Sequence, residues 1–130
     1  MPIVTTMIVE DHANFSRFLT RILERETQCQ VIGQASEGLE AIRKAKVLHP
    51  DLILLDLGLP KLNGIEVTRQ VRKVSPNSKI LIVSQDSSPE VMQVALREGA
   101  HGYLLKSDAA DLPIAVDAVL QNREFVSWRR

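Results

Sequence analysis

The sequence predicts an α/β fold in which five parallel strands form a doubly wound sheet flanked by five helices, and three observations support this prediction. Five short runs of aliphatic and β-branched residues recur at nearly even spacing, at 4–9, 30–35, 52–55, 80–83 and 102–105. Segments with helical period separate these runs. The third and fourth runs are apolar without alternation, which is typical of central parallel strands covered on both faces. Alternating strands and helices then require right-handed crossovers and helices on both sides of the sheet.

The first strand precedes the clearest helix of the chain. Its apolar stripe has the i, i+3, i+4, i+7, i+8 spacing and consists of Phe15, Phe18, Leu19, Ile22 and Leu23. The second strand is interrupted by Gly33 and Gln34, so we expect it at an edge of the sheet. The second helix covers residues 38–48 and ends at His49-Pro50, because the residue before proline avoids the helical region.

The remaining elements have recognisable start and stop signals. The third helix should open after Asn63-Gly64 and run to the turn at residues 75–77. The fourth should start at Ser88-Pro89, where proline fits the first turn, and stop before Gly99. The fifth should begin near Ser107 or Asp108. We expect one domain over residues 1–122, with 123–130 a C-terminal tail or the start of a linker, in which Trp128 has no obvious core position.

Composition excludes several classes of protein. Of 130 residues, 45% are apolar, which is enough for a single core, and 16 basic side chains balance 16 acidic ones. This balance gives no field that would steer the segment itself to DNA or to an anionic membrane. The start lacks the features of a signal peptide and no apolar run approaches the roughly 18 residues of a membrane span, so we expect a cytoplasmic location.

Polar residues follow four of the five predicted strands. Glu10-Asp11 follows the first, Asp56 the third, Ser84 the fourth and Lys106 the fifth. In open α/β sheets, binding groups gather beyond the carboxyl ends of the strands, so these residues should share one rim. Taken singly, each has a plainer interpretation, since the acids could be turn or helix-capping residues and the lysine a solvated one. Their joint placement at the carboxyl ends of the strands favours a shared binding site.

Three carboxylates in one place need a compensating cation, and Mg²⁺ prefers such oxygen ligands. Histidine and cysteine are absent from the matching positions, and His12, His49 and His101 share no metal-ligand spacing, so zinc is disfavoured. An aspartate beside Mg²⁺ can attack phosphorus and form an aspartyl phosphate. A lysine and a hydroxyl would then contact the phosphoryl oxygens.

Several motifs carry a resemblance to a known family. They are Ile8-Val9-Glu10-Asp11-His12, the stretches 50–60 and 62–66, Ile82-Val83-Ser84, and the stretch 99–106 that ends in Tyr103-Leu104-Leu105-Lys106. In order and spacing they resemble the receiver domain of two-component response regulators, over residues 3–122. Residues 104–107 and 123–127 are most similar to the NarL type, whose members usually continue into a helix-turn-helix domain.

The resemblance implies a fold and a set of roles. The sheet would have the flavodoxin-like order 2-1-3-4-5. Mg²⁺ would be held by Asp11 and Asp56, by Glu10 mainly through water, and by the backbone carbonyl of Gly58, a position that tolerates any side chain. The implied roles of the others are phosphoacceptor for Asp56, phosphate-binding lysine for Lys106, hydroxyl switch for Ser84 and aromatic switch for Tyr103, which would turn from outward to inward.

The resemblance also implies partners and a class of function. A sensor histidine kinase would phosphorylate Asp56, a homodimer could form, and DNA would be bound only through an output domain. The chain would be no enzyme beyond its own phosphorylation and dephosphorylation. The alternatives are a degenerate receiver that acts as an interaction module without phosphorylation, and a phosphatase with an Asp-x-Asp nucleophile, whose second acid Asp56-Leu57-Gly58 lacks.

Two residues depart from the common family pattern. Ser107 stands where many receivers have a proline in a cis peptide, and since a non-proline cis bond costs about 3 kcal/mol we expect a trans bond. Glu10 stands where aspartate is common, and its extra methylene should shift the ion or insert a water molecule. Neither departure removes a chemical group.

Overall fold

In the computed structural model, which describes residues 2–127, strands and helices alternate along the chain. The strands are β1 (Val4–Val9), β2 (Cys29–Ala35), β3 (Leu52–Leu55), β4 (Lys79–Ser84), β5 (Gly102–Leu105) and β6 (Phe125–Val126). The helices are α1 (Ala13–Glu26), α2 (Gly38–Leu48), α3 (Gly64–Val74), α4 (Pro89–Arg97) and α5 (Leu112–Leu120). The predicted α/β class, with five helices, is confirmed.

All strand pairs in the sheet are parallel, and their order is β2-β1-β3-β4-β5-β6. The predicted order 2-1-3-4-5 is therefore confirmed. The prediction of five strands is wrong, because Phe125–Val126 adds a sixth strand beside β5. Two residues are too few to produce a period in the sequence, so the sequence pattern alone predicts only a tail here. Trp128 lies outside the described residues.

Side chains alternate between two cores, one on each face of the sheet. Met7, Ile53 and Tyr103 point to the face covered by α2, α3 and α4. Ile8, Leu54 and Leu104 point to the face covered by α1 and α5. All four residues of β3 are buried, as expected for a central parallel strand.

The fifth helix starts later than predicted. Residues Lys106–Asp111 form a 3₁₀ segment, and α5 begins only at Leu112. Pro113 explains the difference, because in a helix that began at residue 107 its ring would clash with the carbonyl of Ala109. In the first turn of α5 the same proline is favourable. The peptide bond before Ser107 is trans, as predicted, since residues 2–127 contain no cis peptide bond.

Strand β2 forms one edge of the sheet, as its interrupted apolar run predicted. Two charged side chains form hydrogen bonds with backbone groups of this edge. Lys44 Nζ donates to the carbonyl oxygen of Gln34 at 2.5 Å, and the Val31 amide donates to Glu24 Oε2 at 3.1 Å. These contacts leave fewer free backbone groups for another strand to pair with. Among residues 2–127, no helix has the length and apolar character that crossing a lipid bilayer requires.

Candidate functional site

The carboxyl ends of the central strands bring residues distant in sequence to one rim of the sheet. Glu10 directly follows β1, Asp56 follows β3, Ser84 ends β4 and Lys106 follows β5. Because the strands are parallel, these ends lie side by side. The structure thus brings together the rim residues that the sequence singled out.

Lys106 lies between two buried carboxylates. Its Nζ is 2.8 Å from Glu10 Oε1 and 3.3 Å from Asp56 Oδ2. The side chains are only 2% (Glu10), 7% (Asp56) and 11% (Lys106) exposed. One ammonium group therefore forms ion pairs with two carboxylates, and these three groups together carry one excess negative charge.

The two carboxyl groups differ in how well their charges are compensated. Burial would raise the pKa of Glu10, but hydrogen bonds from Lys106 and from the His12 backbone outweigh it, so the pKa of Glu10 lies below its usual value. Burial raises the pKa of Asp56 above its usual value, against the opposing effect of the Gly58 amide, and the charge of Glu10 adds to the rise. Lys106 thus compensates Glu10 more fully, and Asp56 is left as the less stabilised anion.

The His12 imidazole contacts both carboxylates of the acidic pair. Its Nδ1 is 3.0 Å from Glu10 Oε2 and 3.3 Å from Asp11 Oδ1. Ligand atoms of Glu10, Asp11, His12 and Asp56 all lie within 4.8 Å of one another. His12 therefore adds an imidazole nitrogen to the acidic cluster. The spacing among the three histidines does not predict this contact, but the position of His12 next to the acidic pair in the sequence does.

The acidic pair also contacts the start of α1. A role in helix capping is the alternative that the sequence offered for these acids. The backbone amide of His12, the N-cap residue, donates to Glu10 Oε2 at 3.0 Å. The His12 side chain makes no capping hydrogen bond. Glu10 therefore orders the entry to α1 with one oxygen and contacts Lys106 with the other.

Phe15 is a second neighbour that sequence reasoning missed. Lys106 Nζ lies 4.8 Å from the centroid of the Phe15 ring, within cation–π range. The helical period places Phe15 only in the apolar stripe of α1. Phe15 does belong to that stripe, since it is half-buried against the core. An apolar stripe cannot reveal that its end residue faces a charge from another element.

Gly58 contacts the proposed phosphoacceptor through its backbone. Its amide donates to Asp56 Oδ1 at 3.2 Å. A Cβ built on Gly58 would lie 3.9 Å from that oxygen, an ordinary contact, which agrees with the expectation that this position tolerates a side chain. The metal-binding role of its carbonyl stays a prediction.

Tyr103 faces inward in the structure. Its side chain is fully buried, and its hydroxyl donates to the carbonyl oxygen of Asp86 at 2.7 Å. This differs from the outward starting orientation that the family resemblance implies, because the Asp86 carbonyl gives the buried hydroxyl a partner. Burial raises the pKa of Tyr103, against a smaller opposing effect of the Ser84 hydroxyl. The Ser84 hydroxyl, itself buried, accepts from the Asp86 amide at 3.1 Å.

A cleft of about 660 Å³ opens beside Asp56 and Lys106. It continues between α3 and α4, where its walls include Asn63, Arg69 and Val91. A phosphoryl group on Asp56 would fit this space and would meet the ammonium of Lys106 and the hydroxyl of Ser84. Such an arrangement can stabilise negative charge on phosphoryl oxygens by electrostatics alone.

Comparisons of the sequence with a family model and with known proteins all point to the same protein family. A family model described as response regulator receiver domain matches residues 6–117. The chain is 34% identical to the transcriptional regulatory protein DegU of Brevibacillus brevis over 124 residues, which are 95% of this chain and 52% of that protein. It is 36% identical to the nitrate/nitrite response regulator protein NarL of Escherichia coli strain K12 over 102 residues, 78% of this chain and 47% of NarL. The chain spans about half the length of the curated relatives it matches.

Solved structures give the same result. A two-component response regulator of the LuxR family from Aurantimonas sp. SI85-9A1 superposes with a TM-score of 0.91 at 33% identity, over 97% of this chain and 91% of that one. The signal receiver domain of a NarL response regulator from Mycobacterium tuberculosis superposes with a TM-score of 0.88 at 29% identity, over 95% of this chain and 100% of that one. The similarity therefore covers nearly the whole of this chain.

Proposed function

The chain belongs to the family of response regulator receiver domains, of the LuxR/NarL type, and from this premise we propose that it is a phosphoacceptor whose Asp56 takes up a phosphoryl group. The observation that carries the proposal is the triad at the rim. Glu10, Asp56 and Lys106 come from three separate strand ends, and the Lys106 ammonium contacts both carboxylates in a buried place. Burying charges in this way is costly for stability, so a functional reason for the arrangement is expected.

The proposed reaction transfers a phosphoryl group between a histidine and Asp56. A carboxylate oxygen of Asp56 forms a bond to phosphorus while the bond from phosphorus to the imidazole nitrogen of a kinase breaks, and the electron pair of that bond stays on the imidazole. Lys106, which shares its charge between two carboxylates here, would turn to the phosphoryl oxygens.

The rim residues fit a hard divalent cation. Asp11 and Asp56 offer carboxylate oxygens, and Glu10 lies in the same cluster. One ammonium for three carboxylates leaves negative charge that an oxygen-preferring ion such as Mg²⁺ would balance. When bound, the ion would neutralise charge on the transferred phosphoryl group. Asp11, whose side chain is 30% exposed, would hold the ion on the open side of the site, with Glu10 acting mainly through water.

Ser84 and Tyr103 would transmit the change. A phosphoryl group adds about two negative charges and three acceptor oxygens, so the Ser84 hydroxyl would turn from the Asp86 amide towards it. The Tyr103 hydroxyl is bonded to the Asp86 carbonyl, in the same loop. A movement of Ser84 would therefore reach Tyr103 through residues 84–86, and the surface formed by α4, β5 and α5 would change with it.

The test uses beryllium fluoride with Mg²⁺ as a stable substitute for the phosphoryl group. We expect the wild-type protein to show coupled shifts of the amide resonances of Ser84, Tyr103 and Lys106. Asp56→Asn should lose the response entirely, because its amide cannot form the acyl phosphate or its fluoride analogue. The matched control is Asp117→Asn, an exposed aspartate on α5, which should respond as the wild type does.

A negative result would favour the other candidate. If the wild type shows no coupled shift, or if Asp56→Asn responds equally, the chain acts as an interaction module without phosphorylation. A titration with Mg²⁺ alone adds an independent reading, since Asp11→Ala should weaken the metal response of the amides near Asp56.

The proposal extends to partners and location. A sensor histidine kinase would supply the phosphoryl group, and the chain would turn over no external metabolite. The relative DegU is a transcriptional regulatory protein about twice as long as the matched segment, so DNA would be bound by an output domain outside this chain. A homodimer and a cytoplasmic location stay predictions.

A further inference from the structure

The sixth strand results from a reversal that the sequence encodes at the end of α5. Asn122 has a left-handed backbone conformation, with φ 61°, which asparagine adopts more readily than most residues. The Arg123 amide then donates to the Ala118 carbonyl at 2.8 Å. These two features turn the chain back onto the sheet, so that residues 125–127 lie along β5. We call residues 125–127 the C-terminal clasp.

The clasp packs directly against the proposed switch residue. In the parallel ladder Val126 pairs with Tyr103, and Phe125 pairs with Gly102. Val126 is 4% exposed and belongs to the same core cluster as Tyr103. The Phe125 carbonyl would be only 3.1 Å from a Cβ on Gly102, so the missing side chain there permits the close approach. The clasp thus occupies the edge of β5 at the point where Tyr103 is buried.

Ser127 extends the clasp towards the phosphoacceptor site. The Leu105 amide donates to Ser127 Oγ at 2.9 Å, and Ser127 is 6% exposed. Leu105 immediately precedes Lys106, whose ammonium lies between the two buried carboxylates. A side chain from the end of the described chain therefore holds the backbone next to the proposed phosphate-binding lysine.

We propose that the C-terminal clasp is a positioning element that holds Tyr103 inward and fixes the backbone before Lys106, and so favours the phosphorylated form of Asp56. The effect on phosphorylation rests on the proposed function, whereas the effect on Tyr103 does not. Binding equilibria that share a conformational change are reciprocal. If the clasp favours the phosphorylated form, a phosphoryl group on Asp56 must stabilise the clasp by the same free energy. The signal would thereby reach the chain that follows residue 127.

The first experiment measures the orientation of Tyr103 in the absence of any phosphoryl analogue. Tyr103 is the only tyrosine of the sequence, so fluorotyrosine labelling gives one fluorine resonance whose exposure to a soluble paramagnetic probe reports its environment. Ser127→Ala removes the acceptor of the Leu105 amide, and Val126→Ala shortens the buried side chain that is paired with Tyr103 in the ladder. We expect either variant to increase the exposure of Tyr103. Unchanged exposure in both variants would overturn the proposal.

The second experiment measures the affinity for beryllium fluoride in the presence of Mg²⁺. Losing one hydrogen bond worth about 1 kcal/mol should weaken binding measurably in Ser127→Ala, by at most about fivefold. Ser127→Thr keeps the hydroxyl and should restore wild-type affinity. Exchange of the Leu105 amide hydrogen should slow when the analogue binds to the wild type, because the coupling is reciprocal.

Controls separate this effect from a general loss of stability. Ser75→Ala alters an equally buried hydroxyl at the opposite end of the sheet, which bonds to Ser78 at 2.6 Å. It should lower stability without changing the affinity for the analogue. Equal affinities in the wild type and Ser127→Ala would overturn the coupling between clasp and site. A wild type that does not bind the analogue would instead contradict the proposed function, and Tyr103 exposure would then decide on the clasp alone.

Discussion

The two ends of the parallel sheet bury polar groups in different ways. At the amino ends of the strands, the Ser75 and Ser78 hydroxyls bond to each other, and Ser78 also donates to the Pro50 carbonyl. At the carboxyl ends, Lys106 lies between the carboxylates of Glu10 and Asp56. The first arrangement is neutral and its hydrogen bonds are complete. The second contains charges that do not cancel.

His101 continues the neutral pattern at the amino ends. Its Nδ1 accepts from the Ile80 amide at 3.0 Å. Burial lowers the pKa of His101 to about 4, and the positive charges of Lys79 and Arg72 contribute, so the ring is neutral at physiological pH. The comparison shows that one sheet can hold permanent neutral contacts at one end and exchangeable charged contacts at the other. An ion or a phosphoryl group can alter the second kind without disturbing the first.

Among the substitutions that test this difference between the two ends of the sheet, Lys106→Met should have the largest effect on the unfolding free energy. Removing the ammonium leaves two buried carboxylates without their shared partner, which should cost about 3 kcal/mol of unfolding free energy at pH 7. The loss should shrink at pH 4, because the carboxyl groups can then be protonated. Chemical denaturation at the two pH values measures it. The matched control Lys61→Met breaks only an exposed pair with Glu37 and should cost less than about 0.5 kcal/mol.

If Lys106→Met lost as little unfolding free energy as the control, the rim charges would behave as solvated surface groups. The proposed difference between the two ends of the sheet would then be contradicted. Adding Mg²⁺ gives a further reading. It should recover part of the lost stability in Lys106→Met, because the ion supplies positive charge to the same carboxylates.

A smaller effect is expected at the neutral end from His101. The pKa of His101 is about 4 in the folded protein and near 6.5 in the unfolded chain, so the folded state binds fewer protons between these values. Stability from this group is complete above about pH 6.5 and is lost as the pH falls towards 4. After allowance for partial exposure of the ring, the loss should be about 2 kcal/mol.

His101→Asn removes the titration and keeps an acceptor for the Ile80 amide. Its stability should therefore depend less on pH between 7 and 4 than that of the wild type. His49→Asn is the control, because His49 is exposed and has a left-handed conformation that asparagine also adopts. Identical pH profiles for His101→Asn and the wild type would contradict the expectation.

The smallest of these expected effects on stability is a stabilisation, and it is expected for Asp56→Asn. Burial raises the pKa of Asp56, so its ionised form destabilises the folded protein at pH values above the raised pKa, and this penalty disappears below the unfolded value near 3.8. Asp56→Asn should therefore stabilise the protein at pH 7, by on the order of 1 kcal/mol, in buffer with a chelator. Thermal unfolding at pH 7 and pH 3.5 measures the gain and its loss in acid. Destabilisation at pH 7 would mean that Lys106 compensates Asp56 fully.

Much of the fold could be predicted from the sequence because long elements repeat their signals. The helical period of α1 and the unbroken apolar runs of β3 and β4 each rest on several residues. The start of α5 and the strand β6 depend on one or two residues, Pro113 and the pair Phe125–Val126, so no period marks them.

The site was predictable to the extent that topology alone determines it. The strand ends place Glu10, Asp56 and Lys106 at one rim whatever their rotamers. His12 and Phe15 join the site through the direction of their side chains, and Tyr103 faces inward because a carbonyl of another loop receives its hydroxyl. The contacts of Phe15 and Tyr103 join groups that are distant in sequence and leave no pattern along the chain, whereas the position of His12 beside the acidic pair is visible in the sequence.

The late position of the C-terminal clasp has a consequence for synthesis on the ribosome. Until residues 125–127 emerge, β5 presents an open edge with apolar neighbours, and the Leu105 amide lacks its serine partner. Open edges of this kind pair readily with strands of other chains. A nascent or truncated chain that stops between Asn122 and Phe125 would contain every helix and five strands, and yet we expect it to aggregate more readily than the chain through Ser127.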